Sequence, residues 1–549
     1  MYYKKREILL TSALPYANGY LHIGNILEHI QCDIWSRYHI LNGSNCIKIC
    51  GDDAHGTPIM LHANKLGISP KNLIRKIFNE HIIDLINFRI YYDNYHTTHS
   101  IENKFFVSNI FNLLLKKNFI KKNVINQLFD VSENMFLPDR YIVGKCPKCF
   151  SENQYGDNCS ICGECYDSLD IINPLSVLSG NIPEKRKTIH YFFILNKFYK
   201  KLKIWIYNCA LNESIINKLK EWFISELKMW DITRDHPYFG FKIPNEKDKY
   251  FYVWLDAPIG YISIFKNLCI KSNNIIFSKY WKINTNVELY HFIGKDIMYF
   301  HTLFWPSILY GVKLKIPDNI FIHGFLTIDN KKMSKSKGTL ISASTFAKHF
   351  DSEYLRYYYS SKINNNFDDI DFNFKDFINK INSNIIGKFI NIISRISKFI
   401  NIYFKNKLSK SISFNNIDII NDFINYKYII NEYYENRQYF LVVKTIMFLC
   451  DKLNFYINNQ KPWILIKNFK NFSFVQEICT IIINIFKILT FYVKPIMPKF
   501  CNDIEYILNI PYLNFENYFF LLLNHDINVY SHIANKIEKN IIDDIVDFN

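Results

Sequence analysis

Glu7-Ile-Leu-Leu-Thr-Ser-Ala13, followed by Pro15-Tyr-Ala-Asn-Gly-Tyr-Leu-His-Ile-Gly-Asn25, is the stretch that decides the fold. Its first part is an apolar run of strand length that stops at Pro15, as a buried strand does. From Gly24 to Leu41 apolar residues recur at helical spacing (Ile26, Ile30, Ile34), closing near Asn42-Gly43. A second short strand, Asn45 to Cys50, runs into Gly51-Asp52-Asp53-Ala54-His55-Gly56. Strand, helix, strand with polar residues at the strand ends is how a doubly wound, Rossmann-type parallel α/β sheet builds a crevice.

Working outward, the chain of 549 residues is too long for one core, and its 49% hydrophobic content is enough for several. From about Phe119 to Trp230 the pattern breaks into turns, a cysteine cluster and mixed segments, which reads as an insertion into the α/β domain. Strand character resumes at Tyr250–Trp254, then at Glu288–Ile293, and an apolar run covers Ile320–Ile328. Beyond about Asp376 the chain is rich in Ile, Asn, Phe and Lys at helical spacing, a helical bundle, with Asn364-Asn365-Asn366 as a loop.

The net charge of +16 suits a polyanionic partner, but lysine inflation in an AT-rich genome accounts for it equally well. No secretion signal is evident, and the apolar stretch Ile478–Val493 is interrupted by Asn484 and Lys487, so it reads as a buried helix rather than a membrane span. Of thirteen cysteines, those outside one cluster lack disulfide-like spacing, which points to a reducing, cytoplasmic compartment.

Two motifs carry chemistry. His22-Ile-Gly24 lies where a strand hands over to a helix, and glycine there lets a phosphate approach a helix N-terminus. Lys332-Met-Ser-Lys-Ser336 strings two lysines and two hydroxyls along a loop. Together they are a pair of polyphosphate clamps, one from each half of a nucleotide-binding fold. Separately, Cys146-x-x-Cys149 and Cys159-x-x-Cys162, nine residues apart, suit a closed, structural four-thiolate Zn²⁺ site; redox pairs or disulfides are the alternatives.

With Gly51-Asp-Asp-Ala-His-Gly-Thr-Pro-Ile-Met60 and Tyr252-Val-Trp-Leu-Asp-Ala-Pro-Ile-Gly-Tyr261 between the clamps, the chain resembles the class I aminoacyl-tRNA synthetases of the bacterial methionyl type with one zinc knuckle. The resemblance implies formation of methionyl-adenylate and pyrophosphate from methionine and ATP, with Mg²⁺ accompanying ATP. Transfer of methionine to the 3′ end of elongator and initiator tRNA(Met) then follows. It implies His22, Lys332 and Lys335 as catalytic, with Tyr16, Gly24, Asn25 and Ser334 joining them around ATP. Asp53 is then the partner of the methionine ammonium, and Leu14, Tyr16, Trp254, Ala257, Pro258, Tyr261, Ile297, Phe300 and His301 surround the side chain, where Tyr261 or His301 can aim a donor at sulfur. Asp296 is a binding-site carboxylate of open role. Arg234 would meet the acceptor end of tRNA, and Asn391, Arg395, Pro462 and Trp463 the CAU anticodon.

One departure stands out: the family's best-known form is His-Ile-Gly-His, and this chain has Asn25, which cannot become imidazolium. That shifts charge stabilisation to His22 and the two lysines. The implied organisation is 1–117 first half of the catalytic domain, 118–232 inserted connective domain with the zinc knuckle, 233–325 second half, 326–386 stem-contact region with the lysine loop, and 387–549 anticodon-binding helices. No appended dimerisation barrel is evident, so a monomer is expected. Synthetases for Leu, Ile or Val need a larger insertion, and a cysteinyl enzyme uses a differently spaced zinc site. A non-catalytic tRNA-binding relative would not need His22, Asp53, Lys332 and Lys335.

Overall fold

The structure, a computed structural model, describes residues 5–538 except 157, 158, 163, 165, 210, 212, 225, 226 and 334–339. Five parallel strands form the central sheet in the order Asn319–His323, Glu288–Gly294, Glu7–Ser12, Asn45–Asp52, Asn94–Thr97. Ile8, Leu9 and Leu10 are fully buried, because helices cover both faces of the sheet and a parallel strand needs apolar side chains on each. Strand order reverses between Glu7–Ser12 and Glu288–Gly294, and the crevice opens at the carboxyl ends of these two.

The expected first strand, helix and second strand are all present, as Glu7–Ser12, Ile23–Leu41 and Asn45–Asp52. Two segments differ from expectation. Tyr250–Trp254 is not one strand: the strand Lys249–Phe251 gives way to a helix over Val253–Lys271, which puts Trp254 in the helix's first turn. The apolar run Ile320–Ile328 breaks at Gly324 into Asn319–His323 and Leu326–Ile328, two strands of different sheets. A Cβ at Gly324 would lie 2.1 Å from the backbone oxygen of Asp368, so only glycine allows that crossing.

The insertion is built on a long antiparallel hairpin, Ile120–Asp130 with Glu184–Phe193, edged by Trp230–Asp231 and Met135–Phe136. A small sheet around Ile142–Lys145 carries the cysteine cluster, and the helices Tyr199–Asn208 and Glu213–Ile224 follow the hairpin. After the crevice, Leu326–Ile328 pairs with Lys331–Lys332 on one side and Ile370–Phe372 on the other.

The distal part is helical. The segment Phe469–Val493 is long and apolar enough to cross a membrane by length and composition, but its helix Phe472–Val493 is mostly buried inside the bundle. Asn484 inside it is satisfied by the carbonyls of Thr480 and Leu522, and Lys487 by that of Phe520, so the polar interruptions do not face solvent. The bundle packs directly on the helix Ile23–Leu41. Tyr439 donates to the Gln31 carbonyl, Trp35 Nε1 to the Glu435 carbonyl, and Tyr38 stacks on Tyr434 at 4.9 Å. Buried Asp33 on the same helix is held by Arg37, Lys48 and Arg356, and Arg356 Nε also donates to the Ile496 carbonyl at 2.8 Å.

Candidate active site

The helix Ile23–Leu41 begins with a reciprocal cap. His22 Nδ1 accepts from the Asn25 amide at 3.2 Å, and Asn25 Oδ1 accepts from the His22 amide at 3.2 Å. Asn25 therefore closes the capping box, in the way Glu or Gln does at this position. Because Nδ1 accepts, the ring proton of neutral His22 resides on Nε2. Burial pushes the imidazole down to about 4, so at neutral pH His22 is an uncharged donor.

The loop that follows the lysine motif is sewn onto this helix start, with Ile23 N donating to the Ile341 carbonyl and Ala343 N to that of Leu21. Met333 reaches back against Gly24: a Cβ on Gly24 would meet Met333 Cε at 2.2 Å and His22 Nδ1 at 2.9 Å. Lys332 closes a short strand on Leu326–Ile328. Ser334 and Lys335 lie outside the described residues.

A cavity of about 670 Å³ occupies the crevice, lined among others by Leu14, Tyr16, His22, Gly24, Asn25, Asp53, Trp254 and Ile297. Asp53 follows the second strand, and its backbone is locked to the first crossover by Asp53 N to the Pro15 carbonyl and Ala17 N to the Asp53 carbonyl, each 2.8 Å. Asp53 Oδ1 has no hydrogen-bond partner. Burial, with the negative charge of Asp256 added, holds the Asp53 carboxyl well above the usual range. A buried carboxylate in that state favours a cationic guest, which supplies the missing counter-charge. Asp256 itself is bonded to His55 Nδ1 at 2.6 Å, and His55 Nε2 continues to His99 at 2.9 Å.

The remaining pocket residues form a wall behind the cavity. Trp254 and Phe300 stack at 3.5 Å and 6°. Ala257, Pro258, Tyr261 and His301 are buried behind them. His301 Nδ1 faces the Ile297 carbonyl at 3.1 Å and must donate to it, and burial pushes His301 down to about 4. The neutral ring then accepts at Nε2, so the Tyr261 hydroxyl donates to it at 2.9 Å. In this arrangement both donors are committed, and the wall offers aromatic and apolar contact.

Sequence reasoning missed Glu28 and His323, which also line the cavity beside Asp296. His323 Nδ1 donates to the Gly324 carbonyl, which turns Nε2 toward Glu28 Oε2 at 3.5 Å, and burial raises the Glu28 carboxyl. A signal was available for Glu28, because positions 24 and 28 share one helix face. His323 ends a parallel strand, the position where crevice residues occur.

Arg234 is at the cavity wall too, its guanidinium 3.6 Å above the Tyr252 ring. His190 bridges the two carboxylates flanking it, donating to Asp231 at 2.7 Å and to Asp235 at 2.9 Å.

The sulfurs of Cys146, Cys149, Cys159 and Cys162 all lie within 4.8 Å of one another, with Cys146–Cys162 at 3.7 Å and Cys149–Cys159 at 3.5 Å. Tetrahedral Zn²⁺ with thiolates at ~2.3 Å requires sulfurs roughly 3.8 Å apart, so the donor set fits. Backbone amides of Lys148 and Cys149 point at Cys146 Sγ, and those of Ile161 and Cys162 at Cys159 Sγ, which stabilises thiolates. In the bundle, Asn391 opens the helix Asn391–Phe404 and Arg395 projects from it 5.1 Å over the ring of half-exposed Trp463, next to buried Pro462.

A family model described as tRNA synthetases class I (M) matches residues 8–397. The methionine--tRNA ligase of Buchnera aphidicola subsp. Acyrthosiphon pisum (strain Tuc7) is 50% identical over 533 residues, 97% of each chain. That of Buchnera aphidicola subsp. Baizongia pistaciae (strain Bp) is 48% identical over 534 residues, again 97% of each. Among solved structures, a Mycobacterium tuberculosis methionyl-tRNA synthetase in complex with methionyl-adenylate superposes with a TM-score of 0.80 at 19% identity, covering 96% of this chain and 99% of that one.

Proposed function

This chain belongs to the class I tRNA synthetases (M), and from that premise we propose how it works as a methionine--tRNA ligase. The methionine carboxylate attacks the α-phosphorus of ATP in line and pyrophosphate leaves. The 3′-terminal hydroxyl of tRNA then attacks the carbonyl of the mixed anhydride, and AMP leaves. The carboxylate is already a nucleophile, so the first step needs positioning and charge stabilisation rather than a general base.

Asp53 takes the ammonium, and its unpartnered oxygen in a cavity shared with His22 is the observation that carries the reading. Leu14, Tyr16, Trp254 and Ile297 surround the side chain, with Phe300, Ala257, Pro258, Tyr261 and His301 fixing that wall. Selection of the thioether then rests on aromatic and apolar contact. His22 donates Nε2–H to the phosphates beside Gly24 and the Asn25 cap, while Lys332 and Lys335, with Ser334, neutralise the leaving pyrophosphate; Mg²⁺ arrives with ATP. The four cysteines would hold Zn²⁺, which supplies a structural cross-link for the knuckle.

Asn391, Arg395, Pro462 and Trp463 read the anticodon of elongator and initiator tRNA(Met), and Arg234 meets the acceptor end. In this reading the division at 117, 232, 325 and 386 separates catalytic, connective, stem-contact and anticodon-binding parts. Methionine-dependent exchange of pyrophosphate into ATP tests the proposal. A folded protein without exchange would overturn it.

A further inference from the structure

One buried histidine takes no part in the steps above. His81, in the helix Pro70–Asn87, has no exposed surface. Its ring sits between two acceptors, with Nε2 at 2.8 Å from the Gly19 carbonyl and Nδ1 at 2.9 Å from Asp52 Oδ1. A neutral imidazole has one N–H and serves one of them, whereas an imidazolium serves both. With water excluded, the doubly protonated ring is the form that leaves neither acceptor unpaired.

The two acceptors belong to different parts of the site. Asp52 ends the second strand and directly precedes Asp53. Gly19 lies on the loop that runs from Pro15 to His22 and into the helix Ile23–Leu41. The near half of that loop is already fastened beside Asp53 by backbone bonds to Pro15 and Ala17, and His62 Nδ1 faces the Asn18 carbonyl at 2.8 Å. His81 fastens the next residue, on the way to His22.

We propose that His81 is a positioning residue, a doubly donating tether between Gly19 and Asp52 that sets the separation of the His22 ring from the Asp53 carboxylate, and so of ATP from methionine. The proposal rests on the ligase reading, in which those two residues hold the two reactants. In-line attack depends on that separation, since a misplacement of about 1 Å costs about a hundredfold.

The charged surroundings favour the tethered form. Burial alone would push the His81 ring down, but the bond to Asp52, its charge, the Gly19 carbonyl and the charge of Asp84 outweigh burial, and the net shift is upward from 6.5. Asp84, on the same helix with exposed Glu80 beside it, is raised to about 6 by burial and is ionised above that. Tyr95 faces Asp52 from the third strand and donates to Oδ1; burial holds its hydroxyl well above 10, so it stays neutral. His29 on the first helix is pushed down to about 3 by burial and is neutral as well.

The test compares the full-length wild type with His81→Gln and His190→Gln by methionine-dependent pyrophosphate exchange across pH. Glutamine presents a donor to one acceptor only and does not titrate. His81→Gln is expected to lower kcat about tenfold to a hundredfold while KM for methionine and for ATP each stay within about threefold, because each reactant keeps its own contacts and loses its alignment with the other. The wild-type kcat should fall as pH rises from 6.5 through the raised value of His81. His81→Gln should lack that decline, and His190→Gln, which removes another histidine shifted upward, should retain it. Titration of ATP and methionine is common to all three proteins and cancels in the comparison. A decline that persists in His81→Gln, or a loss carried by one KM alone, would overturn the proposal. Nitrogen NMR of the wild-type imidazoles decides the same point without activity, with His81 assigned through its perturbation by Tyr95→Phe, whose hydroxyl shares Asp52. Both His81 nitrogens should be protonated at pH 6.5, and a single N–H would overturn the tether. Absence of exchange in the wild type would instead overturn the ligase reading.

Discussion

Gly24 and Met333 are in contact across the crevice, so close that a single added methyl on Gly24 would fall 2.2 Å from Met333 Cε. The same methyl would press on the His22 ring at 2.9 Å. The two clamps are thus one assembly, and the hydrogen of Gly24 is the spacer between them. Met333 is flexible and can withdraw, but the His22 ring is tied to the Asn25 amide and cannot. Gly24→Ala should therefore slow pyrophosphate exchange on the order of a hundredfold, the scale of a misplacement of about 1 Å. Methionine binding, read by equilibrium dialysis without ATP, should stay within a factor of about two, because a cost confined to the ATP steps leaves ground-state amino acid binding alone.

Asn25→Ala removes one arm of the cap and leaves the other, so it should lower stability by about 0.5–2 kcal/mol, the range for lost N-caps. It should also reduce exchange, because His22 loses the bond that orients its own backbone amide. Denaturant unfolding and exchange measured on the same preparation check both.

His190 sets a pH dependence. Burial alone would lower its pKa, but hydrogen bonds and charge from Asp231 and Asp235 outweigh burial and the net shift is upward from 6.5. Lys249 and Thr188 face Asp235, and Arg234 faces Asp231, completing the charged surroundings. A histidine raised in the folded state stabilises fully below its unfolded value and loses that contribution as pH rises through its folded value. The thermal midpoint should therefore decline as pH climbs past 6.5 through the raised value, and His190→Gln should flatten that decline.

Trp463→Ala should cut charging of tRNA by about tenfold to a hundredfold while exchange is spared, since a stacking platform is lost far from the adenylate. Equal losses in both assays would assign Trp463 to the bundle's packing instead.

Metal analysis of the purified protein should return one zinc per chain, and Cys146→Ser should abolish it. Because binding energy of a closed thiolate site is folding energy, chelation should melt the small sheet around Ile142–Lys145 and lower the unfolding temperature.

Much of this was legible in the chain itself, and the reasons are local. Ile8-Leu9-Leu10, the periodic Ile26, Ile30 and Ile34, and the paired cysteines each express a constraint within a few residues. The hidden parts depend on distant partners. Trp254 reads as strand because aromatic and β-branched neighbours surround it, yet it lies in a helix that packs between the sheet and the helix Ile101–Lys116. Asn25 reads as a weakened catalytic position until its bond to His22 shows it to be a cap. Glu28 and His323 come from sequence positions almost 300 apart and meet only when the first helix packs across the sheet. His190 is informative only once Asp231 and Asp235 are seen on either side of it.

The helix that starts at His22 ends its buried course against the bundle, with Gln31, Trp35 and Tyr38 bonded or stacked onto Tyr439, Glu435 and Tyr434. It follows that this protein cannot be trimmed into a miniature enzyme by severing the chain before residue 387. Such a cut would strip one flank of the beam that carries His22, and pyrophosphate exchange is expected to fail with it. Each half is part of the other's foundation.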